Sequence, residues 1–381
     1  MSFQSLRDLK KTTNKIKTDA FYPYLIVGQN FFTLASFYRL RQKNLEDVKI
    51  IGPREFTKED MILKGPNSLR GTGNALAVKC LGHQLVESSH TPIFYKDQKL
   101  REFGGRARPE TMLYGEEFYG HKAYEFDAPQ FFPFLNDPFF VTTANQNLIE
   151  GQITKISQVT PEDLIDRAHW ALDLSSGMRL TCEHLVWTNG PLEFLALSAK
   201  DSLSNDVIQF LESTRTPISL YIRLEFDRVV TDQEATLFLP LSFTHEWGHF
   251  VGEFKTMNGK QSAEFITTID EENSDEGHIA HIIKILKRNL EKVIPSIQNV
   301  EMKEFIMMSE RTPCLKIDDR AFQRCRDSFK NLSFAGLNAP LREFSLMEKS
   351  CEDSLNAAEM PTHLARAILS LEQITLGFVD K

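Results

Sequence analysis

The chain has 381 residues, 41% of them hydrophobic and 25% charged, which is length for two domains with real cores and an ordinary globular balance. A formal net charge of −8 excludes a general nucleic-acid binder, and no apolar run is long enough for a transmembrane segment. The five cysteines (Cys80, Cys182, Cys314, Cys325 and Cys351) are scattered and form no CxxC pair, so the expectation is a reducing, cytoplasmic setting without a disulfide framework or zinc ribbon.

The N-terminus carries Arg7, Lys10, Lys11, Lys15 and Lys17 with no apolar run behind them, and reads as a solvated extension rather than a secretion signal. Residues 23–28, Pro-Tyr-Leu-Ile-Val-Gly, predict a short buried strand ending at a glycine. Over 31–43, Phe31, Leu34, Ala35, Tyr38 and Leu40 suit a helix burying one face, and 47–51 predict a second strand. Strand, helix and parallel strand in this order make a βαβ unit, the usual opening of a nucleotide-binding domain.

The middle of the chain is strand-rich. Residues 148–157, 169–174 and 179–188 read as a meander with a turn at Ser175-Ser176-Gly177, and 217–225 alternate as a strand does. Asn258-Gly259 between two alternating stretches, 249–256 and 262–269, predicts a hairpin. Residues 276–294 have the spacing of an amphipathic helix, 331–336 predict a buried strand ending in glycine, and 362–371 a closing helix.

Gly28-Gln-Asn30-Phe-Phe-Thr33 stands where a βαβ unit carries a GxGxxG turn, whose glycines allow a tight turn, close approach to a pyrophosphate and close helix–strand packing. Only Gly28 survives. The Asn30 side chain takes space a phosphate would want, and Thr33 is expected to push the helix away from the strand.

His245-Glu246-Trp-Gly-His249 is a literal HExxH, the zinc-protease pattern in which two histidines share a helix face. The Asn258-Gly259 turn instead makes 249–256 a hairpin arm, and histidines four apart in a strand lie roughly 13 Å apart, too far to share a metal. No metal site is expected, and a metal-dependent hydrolase is the distant alternative. Of the 29 phenylalanines, Phe126, Phe131, Phe132, Phe134, Phe139 and Phe140 form a dense run that fits either a pocket for an apolar ligand or ordinary core packing.

Tyr24-Leu-Ile-Val-Gly-Gln-Asn-Phe-Phe-Thr-Leu-Ala-Ser-Phe-Tyr-Arg-Leu40 resembles the FAD-binding opening of the amine oxidase and phytoene desaturase flavoproteins. The resemblance continues in order through Leu81-Gly-His-Gln-Leu85, Ile149 to Ile156 with Ile153, Leu185-Val-Trp-Thr-Asn189-Gly190 and Asn331-Leu-Ser-Phe-Ala-Gly336-Leu337, the last similar to the family's C-terminal flavin motif. It implies an α/β fold: a discontinuous Rossmann-like FAD-binding domain from 20–85, 148–197 and 328–381, and a substrate domain with an antiparallel sheet and helices from 86–147 and 198–327.

The departures from the family pattern fall at the cofactor. Gly52 stands where the family places the acid that bonds the adenosine ribose, and Leu337 where it places an acid after Ala-Gly. The Gly-Gly-Arg doublet expected soon after the second strand is missing there; Gly104-Gly105-Arg106 comes much later and fits a substrate-domain hairpin. With Asn30 and Thr33 also changed, and each lost polar contact worth on the order of 1 kcal/mol, the positions Gly28, Asn30, Thr33, Gly52, Ile153, Asn189, Gly190, Gly336 and Leu337 mark an eroded FAD site. Phe31, Phe32 or Leu337 is expected to fill part of its cavity. Two functions follow. One is a non-catalytic binding, accessory or regulatory relative serving a small apolar molecule or a partner protein. The other is a working FAD-dependent oxidoreductase on an apolar or amine substrate. No catalytic residue is assigned by either.

Overall fold

A computed structural model of the chain describes residues 18–64, 69–70, 78, 81–88, 92–102, 123–124, 126–159, 167–199, 203–241, 249–269, 272, 274–311, 317–342, 363–376 and 378. The basic N-terminal stretch, Gly104-Gly105-Arg106, His245, Cys80, Cys314 and Cys351 lie outside the described residues.

The chain opens with β1 (Ala20–Val27), α1 (Phe31–Gln42) and β2 (Val48–Gly52), the expected βαβ unit. Next come β3 (Pro92–Lys96) and β4 (Lys99–Glu102), then β5 (Leu148–Glu150), β6 (Ile153–Gln158), β7 (Trp170–Leu174) and β8 (Arg179–Trp187). Two helices follow, α2 (Pro191–Leu197) and α3 (Asn205–Ser213), leading into β9 (Ile218–Phe226), β10 (Thr236–Leu239), β11 (Phe250–Met257) and β12 (Lys260–Ile269). The rest comprises α4 (Glu276–Val293), β13 (Met302–Arg311), α5 (Asp319–Cys325), β14 (Leu332–Phe334) and α6 (His363–Glu372).

The first seven-stranded sheet has the order β5-β2-β1-β8-β7-β6, with β14 also pairing with β8. Its β5, β2, β1, β8 and β14 are mutually parallel, while β7 runs antiparallel to β8 and β6 antiparallel to β7. The stretch 148–157 is therefore not one strand of a meander. The chain breaks at Gly151-Gln152, so that β5 extends the parallel edge at β2 and β6 pairs with β7 at the opposite edge. The second seven-stranded sheet, β13-β9-β12-β11-β10-β3-β4, is antiparallel except where β10 meets β3. Its β11–β12 hairpin turns at Asn258 and Gly259 with φ of 54° and 74°, the left-handed pair that a tight two-residue hairpin turn requires.

Packing follows from which faces are apolar. One face of the first sheet meets α1, α6 and the 126–140 segment, and the other meets α2, α3 and α5. The second sheet buries one face under α4, whose Ile282, Ile283, Leu286 and Leu290 repeat at helical spacing. Helix α1 was expected to bury one face; its first two turns are buried nearly all round, because α6 and the 126–140 segment cover the side away from the sheet. Phe131, Phe132, Phe134 and Phe140 belong to this cluster, with the Phe31 ring 4.8 Å from that of Phe132. Four of the six phenylalanines of the run are thus core, while Phe126 packs against them half-buried and Phe139 is 73% exposed; each fully buried ring contributes roughly 1.5–3 kcal/mol. Among the described residues no helix is long and apolar enough to cross a membrane.

Candidate binding cleft

Four parallel strands end at one level. Val27 pairs with Ile51 on one side and Trp187 on the other, and Trp187 pairs with Phe334. The segments leaving these ends line a cleft of about 600 Å³. That volume lies within the roughly 300–1,000 Å³ of small-molecule sites. Its position, outside the carboxyl ends of β1 and its neighbours, is where open α/β sheets bind ligands.

Gly28, Asn30, Gly52, Ile153, Asn189, Gly190, Gly336 and Leu337 all line this cleft. Thr33 does not; it lies fully buried behind Gly28. Phe31 points into the core and leaves the cleft open, so it fills nothing there, while Phe32 and Leu337 form part of the wall. Phe32 belongs to the same core cluster, its ring 5.5 Å from that of Phe31, and only its position one residue on lets it also reach the cleft wall.

The turn before α1 is closed by its own side chains. Asn30 is the N-cap: its Oδ1 accepts from the Thr33 N–H at 3.0 Å, and its Nδ2 donates to the Thr188 carbonyl at 3.0 Å. The Asn30 N–H donates to Thr33 Oγ1 at 3.3 Å, Thr33 Oγ1 lies 2.7 Å from Thr188 Oγ1, and the Thr188 hydroxyl donates to the Val27 carbonyl at 2.9 Å. Thr33 Oγ1 also lies 3.2 Å from Asn30 Oδ1, so the two hydroxyls and the Asn30 side chain form one connected network. Thr33 therefore draws helix and strand together, contrary to the expectation that it would hold them apart. Gly28, at φ 149°, is required by this closeness: a Cβ there would fall 2.0 Å from Thr188 Oγ1 and 2.5 Å from Thr33 Oγ1.

Gln29 is a cleft residue that the sequence reading passed over. Its amide lies over Gly52, where a Cβ on Gly52 would meet Gln29 Oε1 at 2.3 Å. Both Oε1 and Nε2 are shielded from solvent and make no hydrogen bond to the described residues. The signal was present in the sequence, a carboxamide between Gly28 and the N-cap, but it gains meaning only because Gly52 carries no side chain.

Glu193, in the first turn of α2, is the one charged residue among the described cleft lining, which has no Lys or Arg. The 336–342 segment that forms one wall is anchored from below. Arg366 Nη1 and Nη2 pair with the two Asp319 oxygens at 2.9 and 2.7 Å, and Nη1 also donates to the Ala339 carbonyl at 3.1 Å. Asp319 Oδ1 accepts from the Leu341 N–H at 2.8 Å. Arg342 donates to the carbonyls of Phe329 and Leu332, and burial pulls its guanidinium down to about 10.

His249 precedes β11, its N–H donating to the Leu239 carbonyl at 2.7 Å, and no group of three potential metal ligands occurs among the described residues. Cys182 and Cys325 are buried and form no disulfide among the described residues, and burial pushes both thiols up.

The fold has solved counterparts. Cyclohexylamine oxidase from Brevibacterium oxydans matches with a TM-score of 0.53 at 10% identity, over 93% of this chain and 98% of that one. An oxidoreductase from Methanosarcina mazei matches with a TM-score of 0.52 at 10% identity, over 94% of this chain and all of that one. No family model matches the chain, and no curated protein does. At such identities the likeness is one of fold, the α/β fold of the flavoprotein amine oxidases, extending over nearly the whole chain.

Proposed function

We propose, with that fold as the premise, that the chain is a non-catalytic binding, accessory or regulatory relative whose cleft takes a small molecule other than FAD. The observation that carries this reading is the closed hydrogen-bond run Asn30–Thr33–Thr188–Val27. A helix N-terminus binds phosphate through free backbone N–H groups. Here the Thr33 and Asn30 N–H groups are committed to side chains of the turn itself.

Charge supports the same reading. The described lining offers a diphosphate no Lys or Arg, and a buried charge without a partner costs several kcal/mol. The Gln29 amide occupies the volume above Gly52 from which an acid would reach a ribose. The residues present do not fit FAD, and no redox step is derived through it.

The test is the visible absorbance of the purified protein followed by titration with FAD under flavin fluorescence. The expected result is no stoichiometric flavin and no micromolar binding; one flavin per chain would sink the reading. The second reading, an FAD-dependent oxidoreductase on an apolar or amine substrate, draws on the cleft itself, which is about 600 Å³ and not packed shut. That reading requires the opposite outcome of the same titration.

A further inference from the structure

We infer that the outward face of α4 binds a second copy of this chain, helix against antiparallel helix, about a two-fold axis near Ala280 and Lys284. This surface is built on the second sheet, shares no residue with the cleft lining and does not depend on what the cleft binds.

The inward side of α4 is apolar, with Ile282, Ile283, Leu286 and Leu290 buried on the sheet. Its outward side carries a row at four-residue steps, Glu276, Ala280, Lys284, Arg288 and Lys292, all exposed. Residues four apart on a helix are neighbours, so Lys284–Arg288 and Arg288–Lys292 are like-charge pairs that weaken the helix carrying them. Cations at a helix end complement its dipole, but that effect fades within a turn, and only Lys292 stands in the last turn. A solvated face of mixed sign would place an acid four residues before each cation; Ala280, Lys284 and Arg288 stand there instead.

The acids gather at the other end, where Glu276, and Glu272 ahead of the helix, are exposed. Glu276 lies about 18 Å along the axis from Arg288, so the two charge blocks cannot meet within one helix. An antiparallel copy brings them together. With Ala280 opposite Lys284, Glu276 falls opposite Arg288 and Glu272 lies toward Lys292, and the two-fold axis makes each contact twice. Gly277 and Ala280, both exposed, are small enough at the crossing point for axes about 8 Å apart. Ile306 gives the surface an apolar margin. It is 42% exposed, pairs with Ile222 on the sheet face that α4 covers, and lies two residues along β13 from the Glu304 that pairs with Lys287.

The experiment is sedimentation velocity of the full chain over a concentration series at about 50 mM and about 500 mM salt. Wild type, Glu276→Arg, Arg288→Glu and an equimolar mixture of the two variants are compared, with thermal melts of each. The wild type is expected to be dimeric at about 100 µM in low salt and to shift toward monomer in high salt. Each variant alone should dimerise at least about tenfold more weakly, because its change sets like charges against each other twice. The mixture should recover the dimer, since each variant then supplies the charge that the other has reversed. A role confined to helix stability would lower the melting midpoints and leave the mass of every sample alone, and that result overturns the inference. So does a mixture that stays as monomeric as its components. A wild type monomeric at about 100 µM in low salt overturns it too, including one that instead binds vesicles containing phosphatidylserine.

Discussion

The hydroxyls of Thr33 and Thr188 meet at 2.7 Å directly behind Gly28, joining the start of α1 to the end of β8. The pair is buried, so removing one hydroxyl strands the groups bonded to it. Thr33→Val keeps the shape but leaves the Asn30 N–H without its acceptor. It is expected to cost about 1–3 kcal/mol of unfolding free energy, and Thr33→Ser markedly less. Urea denaturation of the three proteins, with equal slopes, checks this; equal midpoints for Val and Ser would show that the hydroxyl is not what matters.

A second buried pair, Arg366 with Asp319, holds the wall of the cleft rather than its floor. Both side chains are 1% exposed, so a charge left alone there has no water to turn to. Arg366→Met is expected to destabilise the fold by about 3–5 kcal/mol. Adding Asp319→Leu should recover part of that, since an apolar pair replaces an orphaned carboxylate. Thermal melts of the single and double variants decide it: a double variant no more stable than Arg366→Met would contradict the account.

These two pairs show which parts of the molecule the sequence disclosed. The βαβ opening, the Asn258-Gly259 hairpin and α4 were legible because each is written in local spacing and turn chemistry. Arg366 and Asp319 lie 47 positions apart, and no local pattern announces that a polar pair will be buried together. The cleft positions were legible as places, since strand ends in a parallel sheet converge. Their chemistry was not, because a missing glycine at Thr33 reads as damage until the partner hydroxyl on Thr188 is seen. Phe31 and Phe32 likewise read alike in sequence, and only the structure shows that Phe32, core like Phe31, also reaches the cleft wall.

Asp60 supplies a pH prediction. Burial alone would raise its carboxyl, but hydrogen bonds from Arg54 Nη1 and Nη2 at 2.8 Å each and from the Thr57 N–H at 2.8 Å outweigh it and hold the carboxyl below 3.8. A folded-state value below the unfolded one means that the stabilisation is present above about pH 4 and is lost as pH falls through the folded value. Arg54 is 53% exposed, so the ion pair itself contributes little and the buried hydrogen bonds matter more. Asp60→Asn is expected to cost about 1–2 kcal/mol at neutral pH. The gap to wild type should narrow as pH falls below about pH 4, as read from denaturation midpoints at descending pH. A gap that widens on acidification would reverse the sign and remove the explanation.

The contact between Gln29 and Gly52 makes a prediction that needs no ligand. A side chain at Gly52 must displace the Gln29 amide, because its Cβ would lie 2.3 Å from Oε1, and the Gly28 carbonyl stands 3.2 Å away as a fixed second neighbour. Gly52→Glu, the change that would restore an acid at the end of β2, is therefore expected to cost about 1–3 kcal/mol in the wild-type background. In a Gln29→Ala background the same change should cost at least about 1 kcal/mol less, since the displaced group is gone while the backbone neighbour remains. The two sites touch, so the double-mutant cycle must be non-additive, whereas independent sites add within about 0.5 kcal/mol. Four unfolding curves measure the coupling. Additive costs would mean that the Gln29 amide does not occupy the space above Gly52. They would also leave unexplained why the turn carries a glutamine whose polar atoms have no partner among the described residues.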